Sequence, residues 1–379
     1  MTIKPLEFFK VLKDCQVDFF TGVPDSLLKD LCGCFLDIVP ENRHVIAANE
    51  GNAIALACGY HLGTGRTPLV YMQNSGLGNA INPLQSLCDR DVYAIPMILL
   101  VGWRGMPGCA DEPQHTKTGR TQQSLLKAME LPFEILNAAE KSWQKIVEQG
   151  IKTGQRDATP FVFLVQKGTF LPHKKNSTAT KAYTLLREEA LQIILSALDD
   201  SAVVVSTTGK TSREIFELRA KNGQSHNRDF LSIGSMGHCS SIAAGLALAS
   251  PNKNIICIDG DAALIMHMGA LAINGKLKQK NFRHILINNG AHESVGGQPT
   301  VAFELDFSSL LKANCYADYF YAADAKELKL IIGEFLKADG PVFLEVKVRP
   351  GSRADLGRPT LSPLENKRDF MNFLATKKQ

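Results

Sequence analysis

The sequence predicts two doubly wound α/β domains in series, and three observations support this. Short, nearly unbroken apolar runs alternate with longer segments of helical period, which is the rhythm of parallel strands covered on both faces. Near the middle this rhythm gives way to a proline-, lysine- and threonine-containing stretch and then starts again. The length, 379 residues, exceeds one ordinary domain and suits two of roughly 150–200 residues.

In the first half, strands are expected at 18–21, 45–48, 68–72, 95–101, 133–136 and 161–165. Helices are expected at 5–15, 25–37, 50–62 and 142–153. Between 171 and 184 the pattern dissolves into Pro172, Lys174, Lys175, Asn176, Ser177 and scattered threonines and alanines, a linker composition. Beyond it come helix 186–198, strands 202–205 and 230–232, helix 241–248 and strand 254–258. Helix 263–277 and strands 284–288, 318–321 and 342–348 complete the series. A tail from 350 to 379 carries prolines and basic residues and ends in a short amphipathic helix. The expected domains are 1–170 and 185–379. No short-period repeat is present, only this coarse doubling.

Composition narrows the function classes. With 45% hydrophobic and 21% charged residues the chain has real cores. The net charge of +4 is small and its basic residues are spread along the chain, which argues against nucleic-acid binding and leaves an anionic small molecule compatible. No apolar run reaches the ~20 residues needed to span a bilayer, and no leader is visible at the N-terminus. Nine scattered cysteines make no disulfide framework, and Cys32-Gly33-Cys34 has no second pair to form a zinc site. A cytoplasmic location with reduced thiols is expected.

The chemistry concentrates in the second half. Ile258-Asp259-Gly260-Asp261-Ala262-Ala263 closes an apolar strand and opens a helix, and Asn288-Asn289-Gly290-Ala291 closes the next strand, with Asn289 lying 28 positions past Asp261. An aspartate and an asparagine at adjacent strand ends can share one hard cation such as magnesium, which takes oxygen ligands and keeps places for phosphate oxygens and water. The helix opening at Ala262 and Ala263 offers free N–H groups to the same diphosphate. Taken singly, each motif is ordinary turn chemistry; the spacing on consecutive strands is what points to a cofactor.

These two segments resemble the Gly-Asp-Gly…Asn-Asn magnesium–diphosphate motif of thiamine-diphosphate enzymes, with Ala262 replacing the third glycine. The resemblance implies Asp261, Asn289 and the carbonyl of Ala291 as magnesium ligands. Gly234-Ser235-Met236-Gly237 is similar to the turn that supports the cofactor's pyrimidine, with Met236 as the wedge and the Gly234 carbonyl on the 4′-amino group. Glu50, in Asn49-Glu50-Gly51-Asn52, matches the glutamate that shares a proton with pyrimidine N1′, a role for which an apolar surround would raise its pKa. Thr208 and Lys210 are further cofactor candidates. In this family the two kinds of domain come from different subunits, so at least a homodimer is implied, with the active site at the subunit interface.

The missing middle domain, together with Gly22-Val23-Pro24-Asp25-Ser26, Asp111-Glu112-Pro113-Gln114-His115, the segment from Ser206 to Arg213 and the segment from Asn289 to Gln298, resembles the decarboxylases of phosphonopyruvate. Those of sulfopyruvate are near relatives. The likeness runs from Gly22 to about Lys367. It implies non-oxidative loss of carbon dioxide from 3-phosphonopyruvate to give phosphonoacetaldehyde, as in phosphonate biosynthesis; decarboxylation of sulfopyruvate or of another small 2-keto acid, and more remotely a non-catalytic subunit of this fold, are the alternatives. Asp25 and His115 match proton-transfer positions, with His292 and Glu293 as further candidates. A dianionic head group calls for cationic donors, and Arg104, Lys210, Arg353 and Arg358 are the substrate candidates. A P-loop is excluded because Val204 stands where its first glycine belongs. A dinucleotide fingerprint is excluded because Gly76-Leu77-Gly78 is followed by Ile81 in place of the third glycine.

Overall fold

The computed structural model describes residues 2–174 and 183–375, so positions 175–182 of the expected linker lie outside the described residues. The chain divides into two compact units, Met1–Ser177 and Thr178–Gln379. The first is built on strands β1 (Phe20–Gly22), β2 (His44–Ile46), β3 (Leu69–Gln73), β4 (Ile98–Gly102), β5 (Phe133–Leu136) and β6 (Phe161–Val165). The second carries β7 (Val203–Ser206), β8 (Asp229–Leu231), β9 (Ile255–Gly260), β10 (Phe282–Asn288), the short hairpin β11 (Ala291–His292) and β12 (Gln298–Pro299), β13 (Asp318–Ala322) and β14 (Val342–Lys347).

Both six-stranded sheets are parallel throughout. Their orders are β2-β1-β3-β4-β6-β5 and β13-β14-β10-β9-β7-β8. With the hairpin set aside and the second sheet read from its other edge, the two orders are the same. The doubling seen in the sequence is therefore a doubling of topology. In each sheet the chain order reverses beside the first strand, and this opens a crevice at the carboxyl ends where α/β proteins hold ligands.

Strand side chains alternate between two cores, one on each face, which explains why the strands read as unbroken apolar runs. Leu69, Tyr71, Ile98, Leu100, Phe161 and Phe163 enter one core of the first unit, while Val70, Met72, Leu99, Val101, Val162 and Leu164 enter the other. The second unit repeats this, with Ile256, Ile258, Ile285 and Ile287 opposed to Ile255, Cys257 and Leu286. The terminal helix Pro363–Ala375 covers the open edge at β8: Asn366 Nδ2 donates to the Asp229 carbonyl at 2.8 Å, and the Leu231 N–H donates back to Asn366 Oδ1 at 3.3 Å. A covered edge does not recruit foreign strands.

Several expected elements shift for local reasons. The helix expected from position 25 begins at Lys29, because Asp25 Oδ2 accepts from the Leu27 N–H at 2.9 Å and its carbonyl accepts from the Leu28 N–H, which makes a turn. The single helix expected over 263–277 is two, Asp261–Met266 and Ala270–Leu277, interrupted at 267–269. Helices Pro113–Ala128 and Lys210–Lys221 were not anticipated, since both are rich in polar residues. Among the described residues no helix is long and apolar enough to cross a membrane. None of the nine cysteines is in a disulfide among the described residues.

Candidate active site

In the first unit the ends of β1, β3 and β4 assemble one polar cluster. Asp25, just past β1, is fully buried. Gln73, the last residue of β3, donates from Nε2 to Asp25 Oδ1 at 2.7 Å. Gly102 ends β4 against the same carboxylate, and a Cβ there would sit 3.0 Å from Asp25 Cγ, so glycine is required for the approach. Burial pushes the Asp25 carboxyl above its ordinary range, against the pull of these hydrogen bonds and of the Arg104 charge.

Arg104 follows β4 and is anchored through its backbone: its carbonyl accepts from Asn74 Nδ2 at 2.9 Å and its N–H donates to Asn74 Oδ1 at 3.2 Å. Its guanidinium donates from Nη1 to Ser26 Oγ at 2.8 Å, from Nε to Asp111 Oδ2 at 2.8 Å and from Nη2 to Asp111 Oδ1. Asp111 is held well below the usual carboxylate range by that pair. His115, in the first turn of helix Pro113–Ala128, is buried, and its Nδ1 has no hydrogen-bond partner among the described residues. Burial and the Arg104 charge together lower its pKa, so the imidazole is neutral at pH 7. Asp25, Arg104 and His115 thus come together, although they lie on three different segments.

Glu50 follows β2 and packs against Gly76 and Asn79, which follow β3. It is the first residue of helix Glu50–Thr64, whose N-cap Asn49 accepts from the Asn52 N–H at 2.9 Å. Glu50 is buried, and its Oε2 accepts from Asn79 Nδ2 at 2.7 Å. Its other edge lies against Gly76, where a Cβ would come within 2.6 Å of Glu50 Cδ. Ala53, Ile54, Ala57 and Cys58 are buried on the same helix. Desolvation raises the carboxyl above its ordinary value, and only the Asn79 and backbone hydrogen bonds oppose it.

The second unit presents its groups at equivalent strand ends. Gly260 of β9 is in register with Ile287 of β10, which brings the residues that follow them side by side. Asp261 is buried; its Oδ2 accepts from Thr300 Oγ1 at 2.5 Å. Burial raises it to about 6, opposed by that hydroxyl and by the N–H groups of Ala262, Asp261 and Ala291. Asn289 Oδ1 accepts from the Ala291 N–H at 3.1 Å, so the Asp261 carboxylate and the Asn289 amide oxygen meet at one backbone group. The preceding Asn288 faces away, donating from Nδ2 to Glu345 Oε1 at 2.7 Å.

This arrangement fits a divalent cation. Asp261 is a buried carboxylate whose hydrogen-bond partners among the described residues are a hydroxyl and backbone N–H groups, all neutral, so its charge is uncompensated. Next to it lies a second oxygen donor, Asn289 Oδ1. Gly260 has room above it, with Thr207 Cγ2 3.7 Å from where a Cβ would be. Ala262 is half-buried and Ala263 is buried behind it. The Gly234–Gly237 turn is tight, with Ser235 at φ 51° and Gly237 at φ 86°, and Met236 is half-buried above it.

The remaining candidates are distributed differently. Thr208 precedes Gly209, whose φ of 95° opens helix Lys210–Lys221. Lys210 donates from Nζ to Glu293 Oε1 at 2.8 Å. His292 lies in the β11–β12 hairpin, where burial lowers it to about 4. Arg353 is engaged by three carboxylates, Glu188, Glu217 and Asp355. Arg358 is exposed on the tail. Sequence reasoning missed Gln73, Gly76, Asn79 and Thr300; their role depends on contacts across 26 to 48 positions, and no local motif marks them.

Two family models match the chain. Residues 7–130 fit the thiamine pyrophosphate enzyme N-terminal TPP-binding domain, and residues 207–346 fit the C-terminal TPP-binding domain. A phosphonopyruvate decarboxylase from Streptomyces viridochromogenes is 32% identical over 94% of this chain and 91% of its own length. One from Streptomyces hygroscopicus is 32% identical over 93% and 89%. A sulfopyruvate decarboxylase from Methanosarcina acetivorans is 28% identical over 97% of both chains.

Proposed function

Because this chain belongs to the thiamine pyrophosphate enzymes and is a decarboxylase dependent on that cofactor, we propose that its substrate is 3-phosphonopyruvate, which it converts to phosphonoacetaldehyde and carbon dioxide. The observation that carries this reading is the cluster of Asp25, Arg104 and His115, in which a cationic hydrogen-bond donor lies beside two groups able to move a proton. Of the four basic residues considered for the head group, Lys210 is paired with Glu293, Arg353 with three carboxylates and Arg104 with Asp111; what sets Arg104 apart is that Asp25 and His115 lie beside it. Its guanidinium and the neighbouring Ser26 hydroxyl make a donor pair of the kind a phosphonate dianion requires.

When bound, thiamine diphosphate supplies a thiazolium ring that takes up the electron pair left behind by departing carbon dioxide. Asp261, Asn289 Oδ1 and the Ala291 carbonyl would hold a magnesium ion, and the N–H groups of Ala262 and Ala263, with Thr208, would hold the diphosphate. Gly234, Ser235 and Met236 would support the pyrimidine. Glu50, whose buried carboxyl binds a proton more tightly than usual, would hold one at pyrimidine N1′. Asp25 and His115 would deliver the proton that replaces the lost carboxylate; burial raises the first, so that it holds a proton more tightly, and lowers the second, so that it gives one up more readily. The working form would be at least a homodimer.

The test is a side-by-side assay of purified protein with thiamine diphosphate and Mg2+ on phosphonopyruvate, sulfopyruvate and pyruvate, with aldehyde and carbon dioxide measured. Phosphonopyruvate should exceed the others in kcat/KM by about 10-fold or more, the worth of one well-placed charged contact. Faster turnover of sulfopyruvate would transfer the assignment to the sulfonate. Failure of all three would end it.

A further inference from the structure

Glu293 follows the proposed magnesium asparagine by four positions and is the centre of an ion network drawn from three elements. Its Oε2 accepts from Asn289 Nδ2 at 2.8 Å and from Arg187 Nη1 at 2.7 Å, and its Oε1 accepts from Lys210 Nζ at 2.8 Å. Arg187, at the start of helix Arg187–Ala197, is fixed in turn by two parallel bonds of 2.7 Å to Glu214. Side-chain exposures of 6% for Arg187, 1% for Glu214 and 11% for Glu293 bury the centre of this network, with Lys210 at its edge at 24%. Such an arrangement is rigid, because moving any member breaks a charge-assisted bond with little water to replace it.

A carboxamide has one end that accepts and one that donates, and only the oxygen can serve a cation. In Asn289 the choice is made: Nδ2 points to Glu293, and Oδ1 points to the Ala291 N–H that also meets Asp261. With the amide reversed, Oδ1 would face the Glu293 carboxylate and Nδ2 would face Asp261. Arg187 and Lys210 already occupy both oxygens of Glu293, which leaves it as an acceptor fixed in place.

We propose that Glu293 is a positioning residue, held by Arg187 and Lys210, that fixes the Asn289 carboxamide with its oxygen toward the cation shared with Asp261. This rests on the magnesium assignment above. Its contribution lies in metal affinity rather than in proton transfer.

The test is a double-mutant cycle read by electron paramagnetic resonance of Mn2+, used in place of Mg2+, in the presence of thiamine diphosphate. Glu293→Gln should weaken Mn2+ binding by on the order of 10–100-fold, the usual effect of losing a partner that orients a ligand. Glu293→Asp, which keeps the charge but draws the acceptor back by one methylene, should also weaken it. In an Asn289→Asp background the ligand has two equivalent oxygens and needs no orienting. There Glu293→Gln should leave the affinity within about 3-fold or improve it by removing a like charge. Equal losses in both backgrounds would mean a merely structural role and overturn the proposal, as would unchanged affinity in Glu293→Gln and Glu293→Asp. Thermal melts of each variant show whether it is folded. A parent protein that binds no Mn2+ would overturn the metal assignment itself, a result distinct from a loss confined to the variants.

Discussion

Glu50 in the first unit and Asp261 in the second are similarly buried acids built for opposite ends. Each is the first residue of a helix that follows a parallel strand, and each is about equally buried, at 5% and 3% exposure. Each carboxyl is raised by desolvation. Around Glu50 lie an asparagine amide, a glycine and an apolar helix face, which leave its charge poorly supported. Around Asp261 lie a hydroxyl, three backbone N–H groups and the oxygen of Asn289, a polar setting that lacks only positive charge. The same burial therefore serves two purposes. An acid in an apolar pocket retains a proton, and an acid among oxygen donors awaits an ion.

Substitutions at the two positions should separate these purposes. The largest effect is expected for Asp261→Ala, which removes the only charged ligand proposed for the metal. The Mg2+ concentration for half-maximal activity should rise by more than about 100-fold, beyond what loss of an outer partner costs. Glu50→Gln keeps size and hydrogen bonding but lacks the carboxyl, so kcat should fall by about 10²–10⁴-fold with little change in Mg2+ dependence. Steady-state kinetics over a Mg2+ series checks both, and a shared Mg2+ defect would erase the contrast.

Gly76→Ala tests the packing of the acid without touching its chemistry. The added methyl would collide with the Glu50 carboxyl, and displacement of about 1 Å should cost about 10–100-fold in kcat. An unchanged kcat would show that the position of Glu50 is not critical.

The smallest effect concerns stability. Because folding raises the Glu50 pKa, the protonated form is favoured in the native state. Its contribution is complete below the ordinary glutamate range and is lost as pH rises through the higher folded value. Glu50→Gln has no charge to bury, so its Tm should exceed the parent's at pH 8, and the gap should narrow as pH falls toward 4. A constant gap in calorimetry across that range would contradict the burial assigned to Glu50.

Much of the fold was legible because the strands of a doubly wound sheet announce themselves as apolar runs. Among the helices that escaped, Pro113–Ala128 and Lys210–Lys221 bury polar or charged residues. Lys210–Lys221 buries Arg219 against Asp229 with both side chains at 0% exposure, and in sequence such residues read as surface. The site divides in the same way. Glu50, Asp261 and Asn289 were named through short motifs at fixed spacing, which local sequence preserves. The proximity of Asp25 to Arg104, 79 positions apart, and the bonds from Gln73 and Asn79 depend on strand order, which no local pattern encodes.

The division of labour between the two acids is tested most directly by calorimetric titration of thiamine diphosphate, in saturating Mg2+, into the parent, Glu50→Gln and Asp261→Ala proteins. Glu50→Gln should bind within a few-fold of the parent, while Asp261→Ala should show no saturable heat. Parent-like binding by Asp261→Ala, or its loss in Glu50→Gln alone, would contradict the assignment of the ion to one unit and the proton to the other.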